Sequence, residues 1–255
     1  MVELKTSGEI DAMRAAGRIV AQALAAARGQ ARVGARLTDL DEAAHQVIRD
    51  AGATSPFLGY QPRFASVPFP AVICASVNDA ALHGIPDGYR LADGDLLSID
   101  CGATLDGWTG DAAISLVVGT ARADDTRLID TAYAALRAGI GAAVVGGRLG
   151  DVSASIGVVG RVGGYGICTD FGGHGVGHSM HEDPSVPNEG RAGRGLRLRA
   201  GLVIAIEPWF LAGGKDEYRI DDDGWTIRSA DGSRAAHVEH TVAITDQGPR
   251  ILTAP

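Results

Sequence analysis

The sequence predicts an α+β fold built from two pseudo-symmetric halves, in each of which helices pack on one side of an antiparallel sheet. Three repeated patterns predict it: a helix–turn–helix order, an apolar strand that ends on an acid, and an acid that begins a strand. The 255 residues are 45% hydrophobic, enough for one large core or two closely joined half-domains. We therefore expect residues 1–255 to form a single domain, with halves at about 6–120 and 121–250.

The first pair of helices is predicted from capping and periodicity. Thr6 precedes Glu9 by three residues, which is a capping-box pattern, and an alanine-rich stretch follows to about Ala27. A second helix is predicted over residues 41–51, because its apolar side chains recur on one face and Gly52 ends the pattern.

The same order returns in the second half of the chain. Residues 146–152 repeat the pattern of residues 34–40, and helical stretches at residues 15–27 and 126–138 precede the two copies. A motif that occurs twice in the same order indicates two halves built on one plan.

Four carboxylates occupy equivalent places in this repeat. Asp100 and Glu207 each end an apolar strand, and Asp111 and Glu239 each precede one. Taken singly, each acid could mark the end of a strand that reaches the surface. As a set, buried carboxylates without a Lys or Arg on their own strand indicate a site for metal ions such as Mn, Fe, Co or Zn, and such a site can hold two. His174, in the glycine-rich stretch at residues 172–177, is the candidate imidazole ligand.

Composition excludes several classes of partner. The net charge of −8 and pI of about 5.3 argue against a nucleic-acid substrate, apart from one local group of arginines at positions 191, 194, 197 and 199. No stretch is apolar enough for a membrane span or a signal peptide. Three cysteines without a paired spacing (Cys74, Cys101, Cys168) predict a reducing cytoplasm rather than a disulfide framework.

The motifs around these residues resemble those of a known family. The chain is similar, over residues 6–252, to the bacterial-type, type I methionine aminopeptidases of peptidase family M24, which have the pita-bread fold. The resemblance rests on segments around seven positions in matching order and spacing: His83-Gly84-Ile85-Pro86, Ile99-Asp100, Gly110-Asp111, Gly173-His174-Gly175-Val176-Gly177, His181-Glu182-Asp183-Pro184, Ile206-Glu207-Pro208 and Glu239-His240-Thr241.

The resemblance implies a dinuclear metal centre. Asp100 would bind one ion, Asp111 and Glu239 would bridge, and His174 and Glu207 would bind the other. It further implies that His83 and His181 contact the scissile peptide and the leaving group, and that a methionine pocket is lined by Phe57, Tyr60, Cys74, Met180 and Trp225. We hypothesise in addition that Glu207 moves the proton of the attacking water. The two divalent ions would be Co, Mn, Fe, Zn or Ni, with the physiological metal left open.

The implied activity is removal of the N-terminal methionine from nascent proteins and peptides, with a preference for a small second residue. We expect a cytoplasmic monomer, with association with the ribosome left open. Two alternatives remain: an Xaa-Pro aminopeptidase or prolidase of the same fold, and a non-catalytic binding module. Residues 61–71 form a longer loop than the resemblance predicts, and neither this loop nor His178 receives a role. Phe57 and Met180 stand where the resemblance predicts Cys and Phe.

Overall fold

The computed structural model describes residues 2–62 and 65–254. In this range the helices are α1 (Ser7–Gln30), α2 (Leu37–Asp50), α3 (Ala123–Ala142) and α4 (Leu149–Val162). The strands are β1 (Ile73–Val77), β2 (Ala80–Leu82), β3 (Leu96–Leu105), β4 (Trp108–Val117), β5 (Gly173–Gly175), β6 (Glu182–Val186), β7 (Val203–Ile206), β8 (Trp209–Leu211), β9 (Tyr218–Ile220), β10 (Ile227–Ser229), β11 (Ala235–His237), β12 (His240–Thr245) and β13 (Gly248–Ile251). Among the described helices, none combines the length and the apolar character needed to cross a bilayer.

Capping decides where the first two helices begin. The predicted capping box is present: the Thr6 N–H donates to Glu9 Oε2 at 2.7 Å, and the Glu9 N–H donates to Thr6 Oγ1 at 3.4 Å. Helix α2 begins at Leu37, four residues before the predicted start at residue 41. The reason is Asp39, whose carboxylate accepts the Arg36 N–H at 3.0 Å and so stabilises an earlier first turn.

The predicted repeat has the same local structure in both halves. The N–H of Arg148 donates to the Asp151 carboxylate at 2.7 Å, as that of Arg36 does at the start of α2. Antiparallel bridges then join Arg36 to Arg90 and Arg148 to Arg197. Each bridge ties the turn before a helix to the segment that leads into an acid-bearing strand.

Each half contains the predicted antiparallel sheet covered by two helices. In the first half, α1 and α2 pack on a sheet of order β1-β3-β4. In the second, α3 and α4 lie against a five-stranded sheet of order β13-β12-β7-β5-β6. Two small sheets, β2-β10-β9 and β11-β8, were not predicted, because strands of three residues are too short to show an alternating pattern.

The halves share a core where α1 crosses from one to the other. Ile10 and Met13 of α1 pack against Val203 and Leu252 of the second half. On its other side α1 lies directly on β4, since a Cβ added at Gly110 would stand 2.9 Å from the Gly17 Cα. Only glycine permits this approach, and the next residue of β4 is Asp111.

Candidate metal centre and adjoining pocket

The four repeated acids meet between the halves. Asp100 lies on β3 and Asp111 on the neighbouring strand β4, where Asp111 pairs with Gly102 and both carboxylates therefore belong to one face of the hairpin. Glu207 follows β7 directly and Glu239 directly precedes β12. The symmetry predicted from sequence thus places two acids from each half at one junction.

Backbone and side-chain hydrogen bonds join β4 of the first half to residues 239–241 of the second. The Glu239 N–H donates to the Ala113 carbonyl at 2.9 Å, which joins β4 to the second half. The Thr241 hydroxyl donates to the Asp111 carbonyl at 2.7 Å and accepts the Asp111 N–H at 2.9 Å. Asp111 and Glu239 are consequently held at a fixed separation by the same contacts that dock the halves.

The donor atoms suit a cation. One donor atom each from Asp111, His174 and Glu239 lies within 4.8 Å of the others, and all three residues are buried. In the described part of the chain, Asp100 Oδ1, Asp111 Oδ1 and Glu239 Oε1 are buried without a hydrogen-bond partner. Because buried carboxylate oxygens need a counter-charge or donors, these residues fit divalent metal ions.

The electrostatics lead to the same conclusion. Burial raises the pKa of Asp111 to about 6, although His174 partly opposes the shift. Burial, reinforced by repulsion from Asp111, raises the pKa of Asp100 and that of Glu239 well above their ordinary values. The protein alone therefore disfavours the ionised form of all three carboxylates, and cations would restore it.

Glu207 differs from the other acids because imidazoles face both of its oxygens. His174 Nε2 lies 3.6 Å from Oε1, and His237 Nε2 lies 3.5 Å from Oε2. Burial alone would raise the pKa of Glu207, but the neighbouring imidazoles of His237 and His174 lower it below its ordinary value. His237 was not predicted as a site residue; its signal in the sequence is its place two residues before Glu239 on an extended segment, which puts both side chains on one face.

These pKa shifts predict that the metal-free protein loses stability as the pH rises. An acid whose pKa is raised on folding binds more protons in the folded state, so the free energy of unfolding falls through that window. For Asp111 the window runs from 3.8 to about 6, and Asp100 and Glu239 extend it upward. We expect the Tm of chelator-treated protein to fall by several degrees between pH 5 and pH 8, measured by calorimetry.

Substitution of one acid supplies the control for this prediction. Asp111→Asn removes a titrating carboxylate from the centre. It is expected to weaken the dependence of the Tm on pH and to raise the Tm of metal-free protein at pH 8. Added divalent metal should raise the wild-type Tm most at high pH. If the Tm of metal-free wild type rises between pH 5 and pH 8, the conclusion that folding raises the pKa values of these acids is contradicted.

A cavity of about 400 Å³ adjoins the acids. Every residue singled out by the sequence analysis as a ligand, catalytic group or pocket wall lines this one cavity. Its apolar end is formed by a separate cluster: Phe57, Ala65, Phe69, Ala71, Cys74, Met180 and Trp225, with Tyr60 and Ile85 against it. Burial raises the pKa of the Cys74 thiol well above its ordinary value, so Cys74 contributes an uncharged wall.

The long loop at residues 61–71 contributes to this cluster. Phe69 is buried and meets Trp225 edge-to-face, with ring centroids 5.1 Å apart. The Trp225 indole N–H donates to the Val67 carbonyl at 2.9 Å. Arg63 and Phe64 lie outside the described residues. Phe69 was not predicted as a pocket residue; its signal in the sequence is an aromatic side chain between two prolines, a combination that restricts the backbone around it.

Three further histidines lie near the site in different roles. Burial lowers the pKa of His83 and that of His181 to about 4, so both imidazoles are neutral at pH 7. His181 is open to the cavity, and its Nδ1 lies 3.0 Å from the Tyr60 hydroxyl. His178 faces away: its ring stacks on Trp108 at 3.8 Å, and its Nδ1 lies 2.7 Å from the Gly107 carbonyl.

Comparison with known proteins assigns this arrangement to a family. Residues 11–246 match the model of metallopeptidase family M24. The chain is 52% identical to methionine aminopeptidase 1 of Mycobacterium tuberculosis, over 99% of this chain and 95% of that protein. It is 44% identical to the methionine aminopeptidase of Clostridium perfringens, over 99% of both. The crystal structure of methionine aminopeptidase from Thermotoga maritima matches at a TM-score of 0.95 and 36% identity over 100% of both chains, which confirms the predicted pita-bread fold.

Proposed function

This chain belongs to the methionine aminopeptidases of metallopeptidase family M24, and we propose that the buried acids and the adjoining cavity are where it removes N-terminal methionine from proteins and peptides. One observation carries the proposal: within the described residues, three carboxylates each have a buried oxygen without a hydrogen-bond partner, at one end of a cavity whose other end is apolar. The first feature suits metal-assisted hydrolysis, and the second suits a thioether side chain.

The enzyme binds divalent metal, and we propose two ions per chain. Asp100 would hold one ion, His174 and Glu207 the other, and Asp111 and Glu239 both, since these residues border the same cavity. When bound, the metal supplies Lewis-acid chemistry and water activated near neutral pH. An oxygen-rich set of this kind accepts Co, Mn, Fe, Zn or Ni, so availability decides the physiological metal.

Three side chains would handle the proton and the substrate. Glu207 is ionised at neutral pH, because its pKa is lowered, and can therefore accept the proton of the attacking water. When the Tyr60 hydroxyl donates to His181 Nδ1, the ring proton of neutral His181 sits on Nε2, where it can stabilise negative charge on the carbonyl oxygen. His83 would contact the nitrogen of the departing chain.

The position of the acids explains why cleavage stops at the first residue. The free amine of the substrate would lie against Asp100, while its side chain enters the apolar cluster beside Cys74 and Trp225. A residue further along the chain has no free amine to satisfy this carboxylate. We also propose a preference for a small second residue.

Competing peptides test the function directly. We expect metal-loaded protein to release methionine from Met-Ala-Ser at least about 100-fold faster than alanine from Ala-Ala-Ser, because the apolar pocket is filled only in the first case. Liquid chromatography of the released amino acids measures both rates. N-acetylated Met-Ala-Ser is the control and should not be cleaved.

The same assay separates the alternatives. Faster cleavage of Ala-Pro than of Met-Ala peptides would favour the Xaa-Pro peptidase. Binding of Met-Ala-Ser without turnover under any divalent metal would favour the non-catalytic module.

We propose a cytoplasmic location with nascent proteins as substrates. The support is indirect: Cys74, Cys101 and Cys168 are all buried and free, as in proteins of reducing compartments. A monomeric state and contact with the ribosome stay predictions.

A further inference from the structure

His237 reaches the metal centre but has no role in the proposed mechanism. It is the last residue of β11, with a side chain about 3% exposed, and it pairs with Trp209 of β8. Val238 turns to the opposite side and packs in the core of the second half, so His237 and Glu239 face the centre together. The segment thus presents two side chains to the site, and only one is a proposed ligand.

The backbone of His237 is fixed by two serines of the other half. Ser98 and Ser115 face each other across β3 and β4, with their hydroxyls 2.7 Å apart. The His237 N–H donates to both hydroxyls, at 3.2 Å and 3.1 Å, and Ser115 Oγ donates to the His237 carbonyl at 2.7 Å. The imidazole is therefore held in register with the strand that carries Asp100.

The His237 imidazole faces the carboxylate of Glu207. Its Oε2 lies 3.5 Å from His237 Nε2, whereas its Oε1 faces His174 on the metal side. The two oxygens of one carboxylate are thereby divided between a proposed ligand and a residue outside the ligand set. A partner of this kind fixes the orientation of a ligating carboxylate and the lone pair that it offers to the metal.

We propose that His237 is a positioning residue of the metal centre: its Nε2–H donates to Glu207 Oε2 and keeps Oε1 directed at the cation. This inference rests on the proposed role of Glu207 as a ligand. It adds a determinant of metal affinity that lies outside the five ligands. Without the donor, Glu207 is free to rotate, and the cation loses a pre-oriented oxygen.

Two substitutions of matched size test the inference. Gln and Met have side chains of similar length, but only Gln can donate a hydrogen bond. We expect His237→Gln to keep metal affinity close to wild type and His237→Met to weaken it about 10- to 100-fold. The measurement is titration of chelator-stripped protein with Mn²⁺ in competition with a chelator, which does not depend on turnover. Equal affinities for the two variants would overturn the inference.

Controls separate positioning from general damage. His240 is half-buried nearby, but its Nδ1 lies 2.9 Å from Thr253 Oγ1 rather than near Glu207, and His240→Met should leave Mn²⁺ affinity unchanged. If His237→Met does not fold, Ser115→Ala replaces it, because loss of the hydrogen bonds between Ser115 and the His237 backbone should also weaken Mn²⁺ binding. Unchanged Mn²⁺ affinity in that variant would overturn the inference. Mn²⁺ binding and methionine release by wild type test the proposed function independently of these variants.

Discussion

Replacing Asp111 by Asn or Glu239 by Gln is expected to abolish both methionine release and stoichiometric metal binding. Each residue supplies a donor atom to the cluster with His174, and each has a buried oxygen that no hydrogen bond satisfies within the described chain. Neutral amides cannot supply the negative charge that balances two divalent cations. Metal analysis should show less than the wild-type amount per chain, and turnover of Met-Ala-Ser should fall to background.

The stability of these variants distinguishes a functional site from a structural one. Both substitutions remove a carboxylate whose pKa is raised by burial, and at Glu239 also by repulsion from Asp111, so metal-free Asp111→Asn should fold as well as wild type or better. Asp106→Asn, in the turn of the same β3–β4 hairpin, is the matched control and should change neither metal content nor turnover. Retained turnover in either site variant would refute the proposed centre.

Replacing His181 or His83 by Ala is expected to lower kcat about 10²- to 10⁴-fold while the metals stay bound. Both rings line the cavity and both are neutral at pH 7, so each can donate a hydrogen bond to the substrate without bringing a positive charge beside the cations. Steady-state kinetics with Met-Ala-Ser and metal analysis of the same samples check both parts of the prediction.

His178 provides the control on the same segment as His181. Its ring stacks on Trp108 outside the cavity, so His178→Ala should leave kcat and metal content near wild type. Loss of metal in His181→Ala would show that this imidazole is a ligand and that the division between ligands and substrate contacts is wrong.

Much of this architecture could be predicted because the sequence repeats itself. The turn at residues 34–40 and its copy at 146–152 have the same local hydrogen bonds, which is why two short similarities predicted two equivalent halves. The acids could be predicted for a related reason: Asp100 lies within an apolar strand and Glu207 directly follows one, at places where burial of a carboxylate is costly unless another group compensates. Repeated motifs, and acids placed on apolar strands, can both be recognised in a single sequence.

The missed features depend on contacts between distant segments. His237 looks like an ordinary residue of a short strand until folding brings it within 3.5 Å of Glu207. Phe69 belongs to an irregular loop, and its burial depends on Trp225, which is far along the chain. The start of α2 was placed too late because Asp39 caps the backbone of Arg36, a residue type with no capping preference of its own. Periodicity carries no information about any of these pairings.

The division of the proposed ligands between the two halves also has a consequence during synthesis of the chain. Asp100 and Asp111 emerge early in synthesis, but His174, Glu207 and Glu239 follow only with the second half. The proposed metal centre therefore cannot be complete until residue 239 has been synthesised. A partly synthesised chain would lack at least one of the five proposed ligands.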